Sequence, residues 1–183
     1  LSLAATLALI QFQCGIAKHW VEESVFGKAG INFPTTTILL YQDSFLSKSM
    51  KDTIRKKIEN DFNFKLMDAV QEKADTEEAK KLVREANGFI RRLVGKGVML
   101  YQYNIRYGFI RNLIGGALWG SLGSLGCAIL YGLQKSWHVM AFFTAFSLLF
   151  ASLILLKKKI LEKFAYQYAE TLINEYMIHK GGK

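Results

Sequence analysis

This chain of 183 residues has few of the residues that build disulfide frameworks and metal centres. Its two cysteines, Cys14 and Cys127, both lie in apolar runs, a position that suggests neither a disulfide framework nor a zinc site. Its three histidines, His19, His138 and His179, are widely separated and form no His–Glu zinc pair. We therefore predict no metal site and no cofactor.

The sequence also lacks the motifs that mark common enzymes. It contains no glycine-rich phosphate loop and no nucleophile elbow. Its acidic pairs, Glu22 with Glu23 and Glu77 with Glu78, are adjacent in sequence and so point in different directions. At this length one small domain fits beside any membrane spans, which is too little for a large catalytic core. We expect no catalytic residue and no enzymatic activity.

Charge is missing from two long stretches of the chain. Leu113 to Leu133 and Ser136 to Leu156 contain no formally charged side chain, and only Gln134 and Lys135 separate them. Each stretch is about 20 residues long, the length that a helix needs to cross a hydrocarbon core of about 30 Å. A charged side chain at the bilayer centre costs at least ~2.5 kcal/mol. Two stretches without charge therefore favour membrane spans over buried helices of a soluble bundle. The pattern predicts a transmembrane helical hairpin with a tight turn.

The flanks of the hairpin predict its orientation. Basic residues lie in the segments 91–111 and 157–163, whereas the turn holds only Lys135 and His138. Because basic residues are retained on the cytoplasmic side, both ends of the hairpin should face the cytoplasm. Leu1 to Ala17 is also uncharged, and we interpret it as the end of a further span; an interfacial helix and a signal peptide are the alternatives.

We therefore predict a mainly α membrane protein whose soluble part contains at most a short strand. The segments are the end of an N-terminal transmembrane helix at 1–17, a cytoplasmic helical domain at 18–108, the hairpin at 109–156 with spans 113–133 and 136–156, and a cytoplasmic helical tail at 157–183.

The cytoplasmic domain has three local signals. Thr35 to Tyr41, after the only proline, is rich in β-formers and predicts a strand. Ser47 can cap a helix that runs to about Asn60. Asp75 or Thr76 can cap a second helix, which Gly95 and Gly97 end and whose apolar residues form one stripe. We expect the stretch 63–73 to be a loop or a short irregular turn.

The tail carries an apolar repeat. Apolar residues recur there at intervals of three or four; they are Leu161, Ala165, Tyr168, Leu172 and Tyr176. No helix breaker separates them from the second span, so we expect that helix to continue into the tail for several turns. We interpret the repeat as a seam between copies in an oligomer, and packing against the protein's own soluble domain is the alternative.

Two patterns inside the hairpin are candidates for helix packing or for a pore. Small residues on one side of the first span are Gly116, Gly120, Gly123 and Cys127, and an aromatic stripe on the second span is Phe142, Phe146 and Phe150. Small residues let helices approach closely, within the hairpin or at a subunit interface. The aromatic stripe is typical of lipid contact or of an apolar constriction in a pore.

Aromatic and basic side chains alternate just before the hairpin. Membrane anchoring explains this pattern, and binding of single-stranded nucleic acid or another polyanion is the alternative. The net charge of +9 suits anionic headgroups and polyanions equally. The candidate ligand-binding residues are Arg91, Arg92, Lys96, Tyr103, Arg106, Tyr107 and Arg111, with Arg55, Lys56 and Lys57 on the predicted helix after Ser47.

Two sequence segments carry more specific information than the composition does: FPTTTILLYQD at 33–43 and NIRYGFIRNL at 104–113. They resemble a Pro-Thr-Thr box and a Tyr-Gly-Phe-x-Arg-Asn box that flank a helical cytoplasmic insert in a group of bacterial multi-pass membrane proteins. Within that group, the chain resembles the membrane effector of the Hailong type of anti-phage system. The matching residues are Pro34, Thr35, Thr36, Tyr107, Gly108, Phe109, Arg111 and Asn112.

The resemblance implies a homo-oligomeric ion channel, a tetramer, that a nucleic-acid oligomer made by a partner nucleotidyltransferase holds shut. Opening on infection would depolarise the cell. We therefore expect an oligomeric channel gated by a nucleotide or oligonucleotide on its cytoplasmic face. A non-conducting membrane anchor or scaffold that recruits a cytoplasmic partner is the alternative.

Overall fold

The computed structural model describes residues 3–95 and 97–179, and all regular structure within these ranges is helical. The α-helices are α1 (Leu3–Ile16), α2 (Glu23–Phe26), α3 (Pro34–Thr37), α4 (Lys48–Phe62), α5 (Ala69–Ala74), α6 (Thr76–Val94), α7 (Val98–Leu133), α8 (Trp137–Leu155) and α9 (Lys157–Ile178). A π-helical turn, Ala17–Glu22, follows α1, and a 3₁₀ turn, Lys28–Gly30, follows α2. The prediction of a mainly α chain is confirmed.

The chain divides into two compact units. The first, which we call the hairpin unit, contains residues 3–25 together with Gly108–Leu161. The second, which we call the helical unit, contains the described residues of Phe26–Tyr107 together with 162–179. The helices α7 and α9 each contribute residues to both units.

The hairpin unit contains the two uncharged stretches as helices. Both α7 and α8 are long and apolar enough to cross a membrane. The turn between them is a Schellman motif, in which Ser136 N–H donates to the Tyr131 carbonyl at 2.9 Å and Lys135 N–H donates to the Gly132 carbonyl at 3.0 Å. Lys135 takes the left-handed conformation of this motif with φ of 60°. The predicted tight turn is confirmed.

Three helices supply most of the side chains in the hydrophobic core of the helical unit. Buried side chains come from α4, α6 and α9; examples are Ile54 and Ile58, Ala86 and Ile90, and Leu172. Each helix places its apolar residues three or four positions apart, so that they form a single inward stripe.

The apolar repeat of the tail contributes to this core. Leu172 and Tyr176 are fully buried in it, and Tyr168 packs against it. The repeat was interpreted as a seam between copies, but these side chains pack within their own unit. The repeat therefore no longer argues for an oligomer.

The predicted helix starts of this unit are confirmed. Ser47 Oγ accepts from Met50 N–H at 3.3 Å at the start of α4, and Asp75 Oδ1 accepts from Glu78 N–H at 3.0 Å at the start of α6. Each side chain satisfies a backbone donor that the first helical turn leaves without a partner. Asn63, with φ of 51°, ends α4.

The predicted strand at Thr35 to Tyr41 is wrong. Pro34 occupies the first position of α3, where a fixed φ and a missing N–H favour a helix. Ile38 N–H then donates to the Pro34 carbonyl at 2.8 Å, and turns follow. The three residues Ile38 to Leu40 are all buried, so they do not alternate as the residues of a half-buried strand would. Their apolar character reflects burial in the core of the helical unit.

Two further predictions differ from the structure. The stretch 63–73, predicted as a loop, contains most of α5, which starts with a capping box between Asp68 and Gln71. The second span was predicted to run without interruption into the tail, but α8 ends at Leu155 and α9 begins at Lys157.

The start of α7 is capped by a side chain from α9. Glu175 Oε1 accepts from Leu100 N–H at 3.1 Å. A Cβ atom on Gly97 would lie 1.9 Å from Glu175 Oε2, so this approach requires glycine at position 97. A carboxylate at a helix N-terminus accepts a hydrogen bond from a backbone N–H that has no partner within the helix. Its negative charge also interacts favourably with the positive end of the helix dipole.

We expect Gly97→Ala and Glu175→Ala to have similar effects that do not add. Each should remove the same cap and lower the free energy of unfolding of the helical unit by about 1 to 2 kcal/mol. Because alanine at position 97 displaces the Glu175 carboxylate, the double variant should resemble either single variant. Hydrogen exchange of the first turn of α7 would measure the effect. Additive losses would contradict the shared cap.

Candidate functional site

The predicted ligand-binding residues divide into side chains that are used internally and side chains that stay exposed. Arg55 belongs to the first group. Its side chain is 9% exposed; it donates to the Leu39 carbonyl at 2.8 Å and to the Met67 carbonyl at 2.5 Å, and it forms an ion pair with Glu72. We therefore leave Arg55 out of the candidate site.

Glu72 and Lys51 complete this buried cluster of charges. Glu72, 1% exposed, also accepts from Tyr41 N–H at 2.8 Å. Lys51 Nζ donates to the Leu40 carbonyl at 2.6 Å and to the Asp43 carbonyl, and burial lowers the pKa of Lys51. The cluster holds the turns after α3 against α4 and α5, which is a structural role.

The two lysines that follow Arg55 differ in exposure. Lys57 Nζ lies 3.0 Å from Asp61 Oδ2 and 4.9 Å from the ring centroid of Tyr176, so its charge is already partnered. Lys56 points outward and is exposed. Only Lys56 of this predicted group presents its charge to solvent.

Arg91 is exposed and held in a defined position. Its Nη2 donates to Thr35 Oγ1 at 3.1 Å, and its guanidinium lies 5.5 Å from the ring centroid of Tyr168. Thr35 is itself fixed, because Asn87 Nδ2 donates to its carbonyl and to that of Val83. The Thr35 of the Pro-Thr-Thr box therefore orients one guanidinium at the surface of the helical unit.

Two further arginines from the predicted ligand-binding set are exposed in this unit. Arg92 follows Arg91 on α6, and Arg106 lies on α7 with its guanidinium 5.5 Å from the ring centroid of Tyr103. Arginine beside an aromatic ring combines a phosphate-binding cation with a surface on which bases stack. Lys96, which the sequence also suggested, lies outside the described residues.

Tyr107 and Arg111 have other roles. Tyr107 is 7% exposed, and its ring meets Phe33 edge-on at a centroid distance of 5.3 Å, so it cannot stack on a base. Arg111 belongs to the hairpin unit, where its Nη1 lies 3.0 Å from Glu22 Oε2. The exposed candidates are therefore Lys56, Arg91, Arg92 and Arg106, with the half-buried Tyr103.

The glycines of the predicted small-residue ridge have different neighbours. A Cβ on Gly120 would lie 2.9 Å from the Phe150 ring, so this glycine admits Phe150 to the contact between α7 and α8. A Cβ on Gly116 would lie 3.4 Å from Gln13, towards α1, and one on Gly123 would meet no atom within 4 Å. The ridge is therefore not one continuous seam.

Hydroxyl groups reinforce the contact between the hairpin helices. Ser121 Oγ donates to the Ser147 carbonyl at 3.3 Å, and Ser147 Oγ donates to the Ser121 carbonyl at 3.1 Å. Such bonds stabilise helix pairs where water is scarce.

The other predicted hairpin residues lie mostly outside this contact. Phe142 and Phe146 are 56% and 40% exposed and touch each other at a centroid distance of 4.8 Å, whereas Phe150 packs on α7. Cys127 is half-buried. The rings of Phe142 and Phe146 are therefore exposed on the surface of the hairpin unit.

Sequence reasoning missed Asn87 and Tyr168 as partners of the candidate site. Asn87 interrupts the apolar stripe of α6 at a buried position, and a buried amide needs hydrogen-bond partners, which was a usable signal. Tyr168 belonged to the tail repeat and gave no indication that it meets Arg91.

Comparison with known proteins adds no assignment: no family model, curated protein or solved structure matches the chain. Within residues 3–95 and 97–179, no group of three or more His, Cys, Asp or Glu side chains could hold a metal ion.

Proposed function

We propose that the chain is the subunit of an oligomeric ion channel in a bacterial inner membrane, gated by an oligonucleotide or a related polyanion on its cytoplasmic face. In this proposal α7 and α8 span the bilayer and the helical unit binds the ligand. The ligand holds the closed state, and its loss opens the pore and depolarises the cell. The setting is anti-phage defence, in line with the resemblance to the Hailong effector, and the resemblance makes a tetramer the expected assembly.

The arrangement around Arg91 carries this proposal. The Pro-Thr-Thr box holds the guanidinium through Thr35, and the Tyr168 ring lies beneath it. A preorganised arginine loses less conformational entropy when it binds a phosphate than a free one does. Together with Arg92 and Arg106, it makes three predicted ligand-binding arginines of the helical unit that are exposed, two of them beside aromatic rings.

The closing effect requires that the ligand prefer one state of the channel. A ligand shifts an equilibrium only as far as its affinities for the two states differ. Because α7 is continuous from Val98 to Leu133, the helix that carries Arg106 is also the first proposed span. Ligand contacts at its start can therefore differ between the closed and open states.

We expect charge reversal of the three arginines to weaken binding of a short single-stranded DNA. In Arg91→Glu/Arg92→Glu/Arg106→Glu, the salt dependence should become shallower by about 0.7 in log–log slope for each lost phosphate contact. Filter binding over a salt series would measure affinity and slope. The matched control reverses three exposed lysines, Lys65, Lys73 and Lys81, and should leave the slope unchanged.

Planar bilayers test the channel itself. Purified wild-type protein should give unitary currents that the DNA suppresses, and the triple arginine variant should conduct without being suppressed. Expression of that variant should be more toxic to the cell. A confirmed oligomer that gives no currents would favour a membrane scaffold instead, and equal binding by both triple variants would remove the proposed ligand site.

A further inference from the structure

A polar cluster joins α1 and its π-helical turn to α7 within the hairpin unit. Arg111 Nη1 lies 3.0 Å from Glu22 Oε2, and Gln13 Nε2 donates to the Asn112 carbonyl at 3.3 Å. Asn112 Nδ2 in turn donates to Cys14 Sγ at 3.4 Å. These groups lie beside two uncharged stretches, the one that ends at Ala17 and the one that begins at Leu113. The ligand site proposed above uses none of them.

The two helices approach closely at this cluster. A Cβ on Gly115 would lie 2.8 Å from the Cβ of Ala17 and 3.0 Å from its Cα, so only glycine fits without moving the backbone of Ala17. Ala17 and Glu22 are the first and last residues of the π-helical turn. Such turns are rare and occur frequently at functional sites. Here both ends of the turn contact α7.

The close contact leaves two polar atoms unsatisfied. Arg111 Nε and Asn112 Oδ1 are buried, and neither has a hydrogen-bond partner among the described residues. Buried polar groups normally have a hydrogen-bond partner in the protein or in water. Water that entered this cluster would hydrogen-bond these two atoms, and this would offset part of the free energy lost when the helices separate.

We propose that this cluster is a gate. In the closed state the Glu22–Arg111 ion pair holds α1 and its π-helical turn against α7. Conduction requires the pair to separate, so that water reaches Arg111 and Asn112 and hydrates this end of the pathway. The gate rests on the proposed channel function and adds the contact by which that channel stays closed.

Charge exchange tests the ion pair. Glu22→Gln and Arg111→Gln should each raise the open probability of the purified full-length channel in planar bilayers roughly tenfold when enough DNA is present to keep most wild-type channels closed. The exchanged pair, Glu22→Arg with Arg111→Glu, should return it towards the wild-type value. The control Glu23→Gln removes a neighbouring carboxylate that pairs with exposed His19 and should change little. Single variants with wild-type open probability would overturn the gate.

A crosslink tests the separation of the helices without relying on the ion pair. Asn112→Cys places a thiol beside the native Cys14, and copper phenanthroline would oxidise the two to a disulfide. The disulfide should abolish the currents, and a reductant should restore them; the same substitution in a Cys14→Ala background should conduct throughout. Undiminished currents in a crosslinked sample would refute the gate alone. A wild-type protein that never conducts would refute the proposed function and the gate with it.

Discussion

Glu72→Ala should destabilise the helical unit by about 3 to 5 kcal/mol, the usual cost of removing one partner of a buried ion pair. The substitution leaves the Arg55 charge without its carboxylate and Tyr41 N–H without its acceptor. In hydrogen exchange of the full-length protein in detergent, amides of α4 and α6 should exchange about 150-fold to 4,000-fold faster. Tryptophan fluorescence would not report this change, because all three tryptophans lie in the hairpin unit.

Two variants separate the buried charge from general effects of substitution. Glu85→Ala removes an exposed carboxylate from α6 and should change exchange little. Replacing both partners, Arg55→Met with Glu72→Leu, should recover much of the loss, since neither member of the ion pair is then buried without the other. If the amides of α4 and α6 exchange at the same rates in Glu72→Ala and Glu85→Ala, the buried charge cluster does not stabilise the helical unit.

Tyr176→Ala should cost the helical unit about 3 to 5 kcal/mol, since it removes a large buried ring. Tyr176 is 0% exposed, its ring lies 6.0 Å from that of Phe62, and its hydroxyl donates to Asp61 Oδ2 at 3.0 Å. Because α9 contributes this ring to the core, hydrogen exchange should accelerate in both α9 and α4. Ile178→Ala, on the same helix but 80% exposed, is the control and should leave exchange unchanged.

Tyr176→Phe separates the hydroxyl from the ring. It should cost only about 1 kcal/mol near neutral pH, the value of one hydrogen bond. Burial raises the pKa of Tyr176, and the hydrogen bond to Asp61 raises it further, above the value of about 10 in the unfolded chain. The folded state therefore holds more protons above pH ~10, so the free energy of unfolding should fall as the pH rises beyond that value. Tyr176→Phe should make this fall shallower. If the free energy of unfolding fell equally in both proteins at alkaline pH, ionisation of Tyr176 would not be its cause.

Local rules predicted several helices well. The two uncharged stretches became α7 and α8, and Ser47 and Asp75 cap α4 and α6 as expected. Length, periodicity and capping depend on residues a few positions apart, so they can be read from sequence without the fold. The same rules failed at Thr35 to Tyr41, because three consecutive buried residues after Pro34 resemble a strand when their neighbours are unknown.

The candidate site could be predicted only in part. Arg91, Arg92 and Arg106 are exposed as a basic cluster suggested, whereas Arg55 lies inside the unit and Tyr107 is buried against Phe33. Whether an arginine faces solvent depends on carbonyls and carboxylates far away in sequence. For Arg55 these are the carbonyls of Leu39 and Met67 and the carboxylate of Glu72. The sequence of α4 alone does not predict these partners.

The sequence by itself determined that the chain is mainly helical and that two of its helices can cross a membrane, since both properties follow from short-range periodicity and from the cost of charge in hydrocarbon. Only the tertiary structure decided the partners of the charged and repeated side chains. It placed Leu172 and Tyr176 of the tail repeat in the core of the helical unit, Thr35 against Arg91, and Glu22 against Arg111. The physical reason is that burial and ion pairing join residues far apart in the chain, and their energies exist only once the helices have packed.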